Sequence, residues 1–566
     1  MPGDSLHLNI KAKQQNTYDA IVVGSGISGG WAAKELCEKG LKVLLLERGR
    51  PMEHPNYPTT TMNPWDFKHH LQLSSEDKKS HPIQSRHYSY REDNKHFYID
   101  DLQNAYEEKK RFDWIRGDTV GGRSLLWARA CYRWSDLDFE ANLKDGHAVD
   151  WPIRYRDLAP WYDYVESFIG VSGNTDAVPQ LPDGKFLPPF EMNCAEKDFK
   201  QKIEAHYKDR QVIIGRTANL TRPVKGRGQC QARDLCHRGC PFGAYFSTNA
   251  STLPAAHATG NLTLRPYSLV NRVLYDEQTQ RATGVEIIDT NTHKTQEFYA
   301  RLLFINAATM ATAFILLNST SHRFPNGLGN DSGQVGRNLM DHHKGLSASA
   351  VIPGFEDSYY YGRRPTNIYI PRFQNITGHT HPFLRGYHYG ASAYRTIGDG
   401  NVEIGEHLKE TMCEPGGWRI GLYSFGECLP YNDNMVTLHP TKKDAFGGPQ
   451  LVMDCSFRDN EKTMHAHMIS SVQEMLTVAG YKDVMISGEM SYPGNANHEM
   501  GIARMGRDKR TSVLNAHNQM HDIPNVFITD GSCMTSGACV NPSLTYMALT
   551  ARACDYAVTE LKKGNI

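Results

Sequence analysis

Short apolar runs, set off by glycine turns and followed by amphipathic stretches, dominate the pattern of this chain. The clearest case spans residues 19–48, DAIVVGSGISGGWAAKELCEKGLKVLLLER. Residues 20–23 are apolar and mostly β-branched, which predicts a buried strand. A helical pattern follows over 28–39, and Gly40 stops it at a C′-like position. Residues 43–46 form a second apolar run, closed by Glu47. Between strand and helix lies Gly24-Ser25-Gly26-Ile27-Ser28-Gly29, a G-x-G-x-x-G turn. Gly24 permits the tight turn, Gly26 leaves room for a pyrophosphate, and Gly29 lets helix and strand pack closely. The helix N-terminus offers partial positive charge and free N–H groups to phosphates. Glu47 lies 23 residues after Gly24, where a carboxylate binds ribose hydroxyls and disfavours a 2′-phosphate. Strand, turn, helix, strand and acidic end together predict a Rossmann-like dinucleotide-binding unit.

The remaining pattern divides the chain. Residues 51–103 are polar, without a clear period, and read as a loop-rich insertion crossing towards a substrate side. Its Lys68-His69-His70 run has no further ligands at metal-binding spacing. In RGDTVGGRSLLW (116–127) the Gly121-Gly122 pair before Ser124 allows close backbone approach. An amphipathic helix is expected over 160–168, with Pro160 in its first turn, and a proline-rich loop over 175–190. Residues 262–306 read as a strand meander ending in a buried strand, with a helical run over 311–317. Residues 344–490 carry alternating β-like runs and many aromatics, the expected sheet and walls of a substrate pocket. Near the end, 525–532 is a strand closing in a polar turn at Asp530-Gly531. Asn541-Pro542-Ser543 then opens a helix to about residue 561.

The expected fold is therefore α/β with a β-rich substrate domain, the two interleaved along the chain. Residues 1–56, 101–150, 216–343 and 491–566 are assigned to the dinucleotide domain. Residues 57–100, 151–215 and 344–490 are assigned to the substrate side. At 566 residues the chain is long enough for more than one domain. Lys+Arg and Asp+Glu both number 62, a balance that argues against a nucleic-acid partner. No apolar run approaches the roughly 20 residues of a transmembrane span. The N-terminal stretch, MPGDSLHLNIKAKQQNTYD, lacks the apolar centre of a secretory signal.

Twelve cysteines do not make a disulfide scaffold, but three cluster as Cys230-Gln-Ala-Arg-Asp-Leu-Cys236-His237-Arg238-Gly239-Cys240-Pro241. A closing Cys-Pro is found in iron–sulfur ligand runs. Zinc would need a fourth ligand, with His237 awkwardly next to Cys236. A disulfide would leave one thiol over, and free buried thiols are the simplest alternative.

Taken in order, GSGISGG, VGGRSLLW, VGRNLMDH, HEMG, ITDGS and NPSLTYMALTARA resemble the glucose–methanol–choline (GMC) family of flavin oxidoreductases over nearly the whole chain. Within it the chain is similar to the sugar-dehydrogenase branch, above all the glucoside 3-dehydrogenases, through CHRGCPFGAYFS. The resemblance implies FAD, with Gly24, Gly26, Gly29 and Glu47 at the adenosine and pyrophosphate end. Gly121, Gly122 and Ser124, Asp530 and Gly531, and Pro542 follow along the cofactor. Related pyranose oxidases attach flavin through a histidine where this chain has Leu126, so noncovalent FAD is expected. A catalytic pair is implied at His498 and Asn541. Imidazole suits removal of a hydroxyl proton while a hydride leaves for flavin N5. The cysteine run is similar to that of flavin-dependent glucose dehydrogenases holding a [3Fe–4S] cluster, which implies Cys230, Cys236 and Cys240 as ligands.

The expected activity is oxidation of a sugar ring hydroxyl, C3 of a glucoside or hexopyranose, to a ketone. Electrons would pass through the cluster to a cytochrome c partner, since the chain has no C-x-x-C-H haem motif of its own. A sugar oxidase using oxygen is the alternative enzyme, and a redox-inactive sugar-binding protein the alternative of another class. Related dehydrogenases are exported with a signal-bearing small subunit, which would make this chain periplasmic; cytoplasmic residence is the other expectation.

Overall fold

A computed structural model describes residues 16–359, 362–397 and 404–566. Most of the N-terminal stretch read for a signal, residues 1–15, lies outside the described residues. The apolar run after it forms strand Thr17–Val23, and residues 20–23 of that strand are buried. It pairs in parallel with Val43–Leu46 on one side and with Thr295–Ile305 on the other. Leu262–Arg265 extends the sheet beyond Val43–Leu46, and Val526–Phe527 pairs with Thr295–Ile305. The antiparallel meander Ser268–Asp276 and Arg281–Asp289 completes this sheet. A parallel sheet buried on both faces explains why its strands read as continuous apolar runs.

Helix Ile27–Glu38 follows the first strand, and the C-terminal helix Ser543–Lys563 packs against it. Helix Tyr155–Ile169 packs in turn on Ser543–Lys563, although 151–215 was assigned to the substrate side. This helix starts five residues earlier than the sequence reading placed it, and Pro160 is its sixth residue. The start signal is Asp157, whose carboxylate accepts the Arg154 N–H at 2.8 Å in a capping box. Pro160 then sits past the first turn and removes one interior helix bond.

A second sheet of six antiparallel strands runs in the spatial order Lys482–Ser487, His343–Ile352, Pro415–Gly426, Tyr387–Ile397, Ile368–Ile370 and Ile213–Ile214. Its inner face is covered by helices Asp459–Val478 and Cys194–His206. The 20-residue helix Asp459–Val478 was missed in reading 344–490 as β-like. Its core positions Met464, Met468, Val472, Met475 and Leu476 do follow helical spacing. A third sheet, Met500–Ile502, Arg337–Met340, Met435–Lys443, Pro449–Asp454 and Glu107–Glu108, joins segments of both halves. Among the described residues no helix is long and apolar enough to cross a membrane.

Candidate active site

The glycine turn is dictated by contact distances. A Cβ at Gly29 would lie 1.7 Å from the Gly24 carbonyl oxygen, and one at Gly24 (φ +89°) would lie 2.4 Å from the Asn306 oxygen. These two glycines close helix onto strand. Gly26 differs: a Cβ there would meet nothing within 4 Å. Facing it is Gly122, whose Cβ would first meet Gly26 Cα at 3.5 Å. Two glycines thus border an open space at the helix N-terminus, the cradle a pyrophosphate needs.

Glu47 is buried at the end of Val43–Leu46. Its carboxylate accepts Ser25 N–H at 2.9 Å, Ser25 O–H at 2.5 Å and Gly49 N–H at 2.8 Å. Burial pushes its proton affinity above the usual carboxylate range. Ser25 Oγ also accepts the Gly121 N–H at 2.8 Å, so the second glycine turn is locked to the first. Gly121 takes φ +96°, and a Cβ there would strike Asn249. Ser124 is fully buried. Its hydroxyl donates to Gly121 O at 2.6 Å and accepts Thr248 N–H at 3.1 Å, so it shapes the turn from behind. Asp530 accepts Ser532 N–H at 3.0 Å and the Thr312 hydroxyl at 2.7 Å, tying the polar turn to helix Thr309–Asn318. Gly531 packs under Glu499: a Cβ would lie 2.3 Å from the Glu499 oxygen. The Tyr546 hydroxyl nearby is buried without a hydrogen-bond partner, and Pro542 caps the helix that carries it.

Arg123 links the cofactor turn to the catalytic segment. It donates to Glu499 at 2.6 and 3.0 Å and to the Asn497 carbonyl at 3.4 Å. Beside them, the His498 and Asn541 side chains meet, Asn541 Nδ2 lying 3.3 Å from His498 Nε2. Two residues that carried no assigned role complete the centre. His342 Nδ1 lies 2.8 Å from His498 Nδ1, and His342 Nε2 lies 2.7 Å from the Ala538 carbonyl oxygen. Asp341 accepts the backbone N–H of His498 at 3.0 Å and of Ala496 at 3.1 Å. Phe425 packs against both imidazoles.

These partners fix the tautomers. A carbonyl oxygen only accepts, so His342 carries its proton on Nε2. Burial lowers His342 to a pKa of about 4, so it is neutral and its Nδ1 is a bare acceptor. His498 must then donate from Nδ1, which leaves a lone pair on Nε2. Burial, then the neighbouring His342, Lys344 and Arg123, hold His498 well below its ordinary value. A neutral imidazole with an unprotonated Nε2, facing the Asn541 amide at 3.3 Å, is a proton acceptor set for a hydroxyl.

Residues 18–344 and 430–550 match the family models of GMC oxidoreductase. The chain belongs to the GMC oxidoreductases. It is 29% identical to 2-methyl-1,2-propanediol dehydrogenase of Mycolicibacterium austroafricanum, covering 95% of this chain and 94% of that one. It is 26% identical to the fructose dehydrogenase large subunit of Gluconobacter japonicus, over 96% and 98% of the two chains. The gluconate 2-dehydrogenase flavoprotein of Pantoea cypripedii is 24% identical, over 95% and 93%. Among solved structures, a formate oxidase variant from Aspergillus oryzae superposes with a TM-score of 0.62 at 15% identity, covering 97% of this chain and 99% of that one. Pyridoxine 4-oxidase from Mesorbium loti gives 0.58 at 15% identity, over 96% and 99%. These structures share the fold.

FAD is the cofactor of GMC oxidoreductases, and the residues here fit it: an open glycine-lined cradle at a helix N-terminus, the buried Glu47 carboxylate beside it and the orphaned Tyr546 hydroxyl. Leu126 offers no atom for a flavin bond. The insertion reaches the same site, since His87 Nε2 lies 3.1 Å from both the Asn495 carbonyl oxygen and Asn497 Nδ2.

Cys230, Cys236 and Cys240 are free, partly exposed thiols on one loop. Ala232 N–H donates to Cys230 Sγ and Ala244 N–H to Cys240 Sγ, each at 3.4 Å. Burial raises the Cys230 thiol, and Cys236 and Cys240 raise it further. His237 Nε2 lies 2.7 Å from the Asp93 carboxylate. Arg238 binds the same Asp93, and Arg233 a Thr60 carbonyl. Among the described residues no three His, Cys, Asp or Glu side chains are grouped to hold a metal ion.

Proposed function

We propose that this GMC oxidoreductase is an FAD-dependent sugar dehydrogenase that oxidises a ring hydroxyl, C3 of a glucoside or free hexopyranose, to a ketone. The observation that carries the reading is the hydrogen-bond chain from Ala538 through His342 to His498, which leaves Nε2 without a proton, facing the Asn541 amide. A substrate hydroxyl set against that pair gives its proton to His498 Nε2 and accepts a hydrogen bond from Asn541. Bound FAD supplies the hydride acceptor. The Asn541 amide is not basic, so it orients the oxygen without competing for the proton. The lowered proton affinity of His498 keeps it neutral at pH 7 and ready to accept. The substrate hydroxyl becomes strongly acidic only as its carbon loses the hydride, so proton transfer is timed to that step.

A sugar rather than a simple alcohol is favoured by the polar wall beyond His342. Lys344 lies 4.4 Å over the Tyr88 ring, and Asn367 Nδ2 donates to the Tyr423 hydroxyl at 2.6 Å. The fructose and gluconate dehydrogenase names of two relatives support the same class. The three thiols do not suit a single metal ion, which needs them all about 2.3 Å from one point. In a [3Fe–4S] cluster each thiolate binds a different iron, and the cluster would supply one-electron transfer. A small subunit and a cytochrome c acceptor complete the proposed assembly, placed in the periplasm by a signal on the partner. Cytoplasmic residence is the alternative.

The test is anaerobic flavin bleaching by a panel of glucosides, with products identified by NMR. A 3-keto product supports the reading, and a flavin that no sugar bleaches refutes it in favour of a binding protein. Stoichiometric peroxide in air without an added acceptor would make it an oxidase. Iron and acid-labile sulfide analysis tests the thiols separately: protein holding neither, yet reducing its cytochrome at full rate, has no cluster.

A further inference from the structure

Behind the catalytic segments lies a cavity of about 460 Å³, lined among others by His147, Asn338, Tyr431, Asp433, Arg458 and Arg504. No residue assigned above to catalysis or cofactor binding borders it. Among its lining residues is Arg504, only 6% exposed. The guanidinium donates from Nε to the Thr511 carbonyl at 3.0 Å and from Nη1 to Asn338 Oδ1 at 3.0 Å. Both acceptors are neutral. Among the described residues no carboxylate pairs with Arg504, and burial alone lowers its proton affinity, with no charged neighbour opposing it. Its Nη2 has no hydrogen-bond partner and is open to solvent. A cation this deep normally needs a counter-charge, because an unpaired buried charge is costly.

The same lining supplies a second guanidinium. Arg458 lies 4.1 Å over the Tyr431 ring and pairs with Asp433, which is 69% exposed at its side chain. His147 stands edge-on to the same Tyr431 ring, its centroid 5.4 Å away. The cavity therefore carries two guanidiniums against one carboxylate.

We infer that this cavity is a binding site for a small oxyanion, a phosphate or carboxylate group, held by the free edge of Arg504 and by Arg458. A forked guanidinium matches the geometry of either group. The oxyanion would be the counter-ion that Arg504 lacks. The site lies apart from the hydroxyl-oxidising centre and does not rest on the substrate proposed for it.

The test uses flavin-loaded full-length protein in an amine buffer, titrated calorimetrically with inorganic phosphate and, separately, with citrate. Saturable binding of either probe is expected, and the stronger one tells a phosphate from a carboxylate ligand. Arg504→Gln and Arg458→Gln should each weaken it about ten- to a hundredfold, the loss of one charge-assisted contact. Arg458→Gln is the safer variant, since its side chain is 39% exposed, and it should leave sugar-driven flavin reduction in anion-free buffer unchanged. Absence of saturable binding of both probes, or equal affinity in wild type and Arg458→Gln, would overturn the assignment.

Discussion

Replacing His342 with leucine tests whether the lone pair on His498 is set by its neighbour. Leucine is close to histidine in volume, so the buried site stays filled, but it offers no acceptor to His498 Nδ1–H. A buried donor left unpaired costs about 1–3 kcal/mol. His498 can recover that energy by moving its proton to Nε2, where it would face the Asn541 amide and have no lone pair for a hydroxyl. The productive tautomer is then disfavoured by the same amount, so flavin reduction should slow by roughly 5- to 150-fold. That is less than the about 10²- to 10⁴-fold loss expected for His498→Ala, which removes the base itself. His342→Gln keeps a carbonyl acceptor within reach and should recover most of the rate. The assay is anaerobic stopped-flow bleaching of flavin by substrate, with flavin content and circular dichroism confirming the fold. An unchanged rate in well-folded His342→Leu, or no recovery in His342→Gln, would refute the tautomer argument.

Two further outcomes follow from the geometry. Gly29→Ala places a methyl 1.7 Å from the Gly24 oxygen, so the protein should lose bound flavin and unfold at lower denaturant, whereas Gly26→Ala should keep its fold and lose flavin affinity. Flavin retention on a desalting column and urea titration check both. Stability should fall in acid: buried neutral His342 and His388 have pKa values lowered to about 4 and about 3 against an ordinary 6.5. Below pH 6.5 the unfolded chain binds protons that the folded chain refuses. Stability is therefore full above 6.5 and drops by about 2 kcal/mol per histidine by pH 5. Urea unfolding at pH 7 and pH 5 measures it.

The glycine turn was legible because its constraints are local: Gly24, Gly26 and Gly29 lie within six residues of one another. His498 and Asn541 were reached only through their motifs, since nothing local marks a histidine in a polar segment as catalytic. The His342 contact was not legible at all, although VGRNLMDH had been singled out. It depends on the pairing of two short strands, Met340 opposite Met500. Continuing that antiparallel register by two residues brings 342 opposite 498. No periodicity in either segment announces this partner 156 residues away. Ser124 shows another limit: the bond from its hydroxyl to Gly121 O, which holds the turn, needs the folded backbone and is not written in the sequence.

The dinucleotide unit that opens the chain is finished by the residues that end it. Ser28 donates to the Thr529 carbonyl 501 positions later, and helix Ile27–Glu38 packs on Ser543–Lys563. A ribosome adding about 5–20 residues per second needs roughly 25 to 100 seconds to bridge that interval. Until then the first helix is covered only in part, by Thr252–Ala258, and the flavin cradle lacks the segments that carry His498 and Asn541. Cofactor capture therefore waits for Thr529 and helix Ser543–Lys563. A premature stop that removes only the final helix would leave an uncovered apolar sheet face for chaperones and proteases to find.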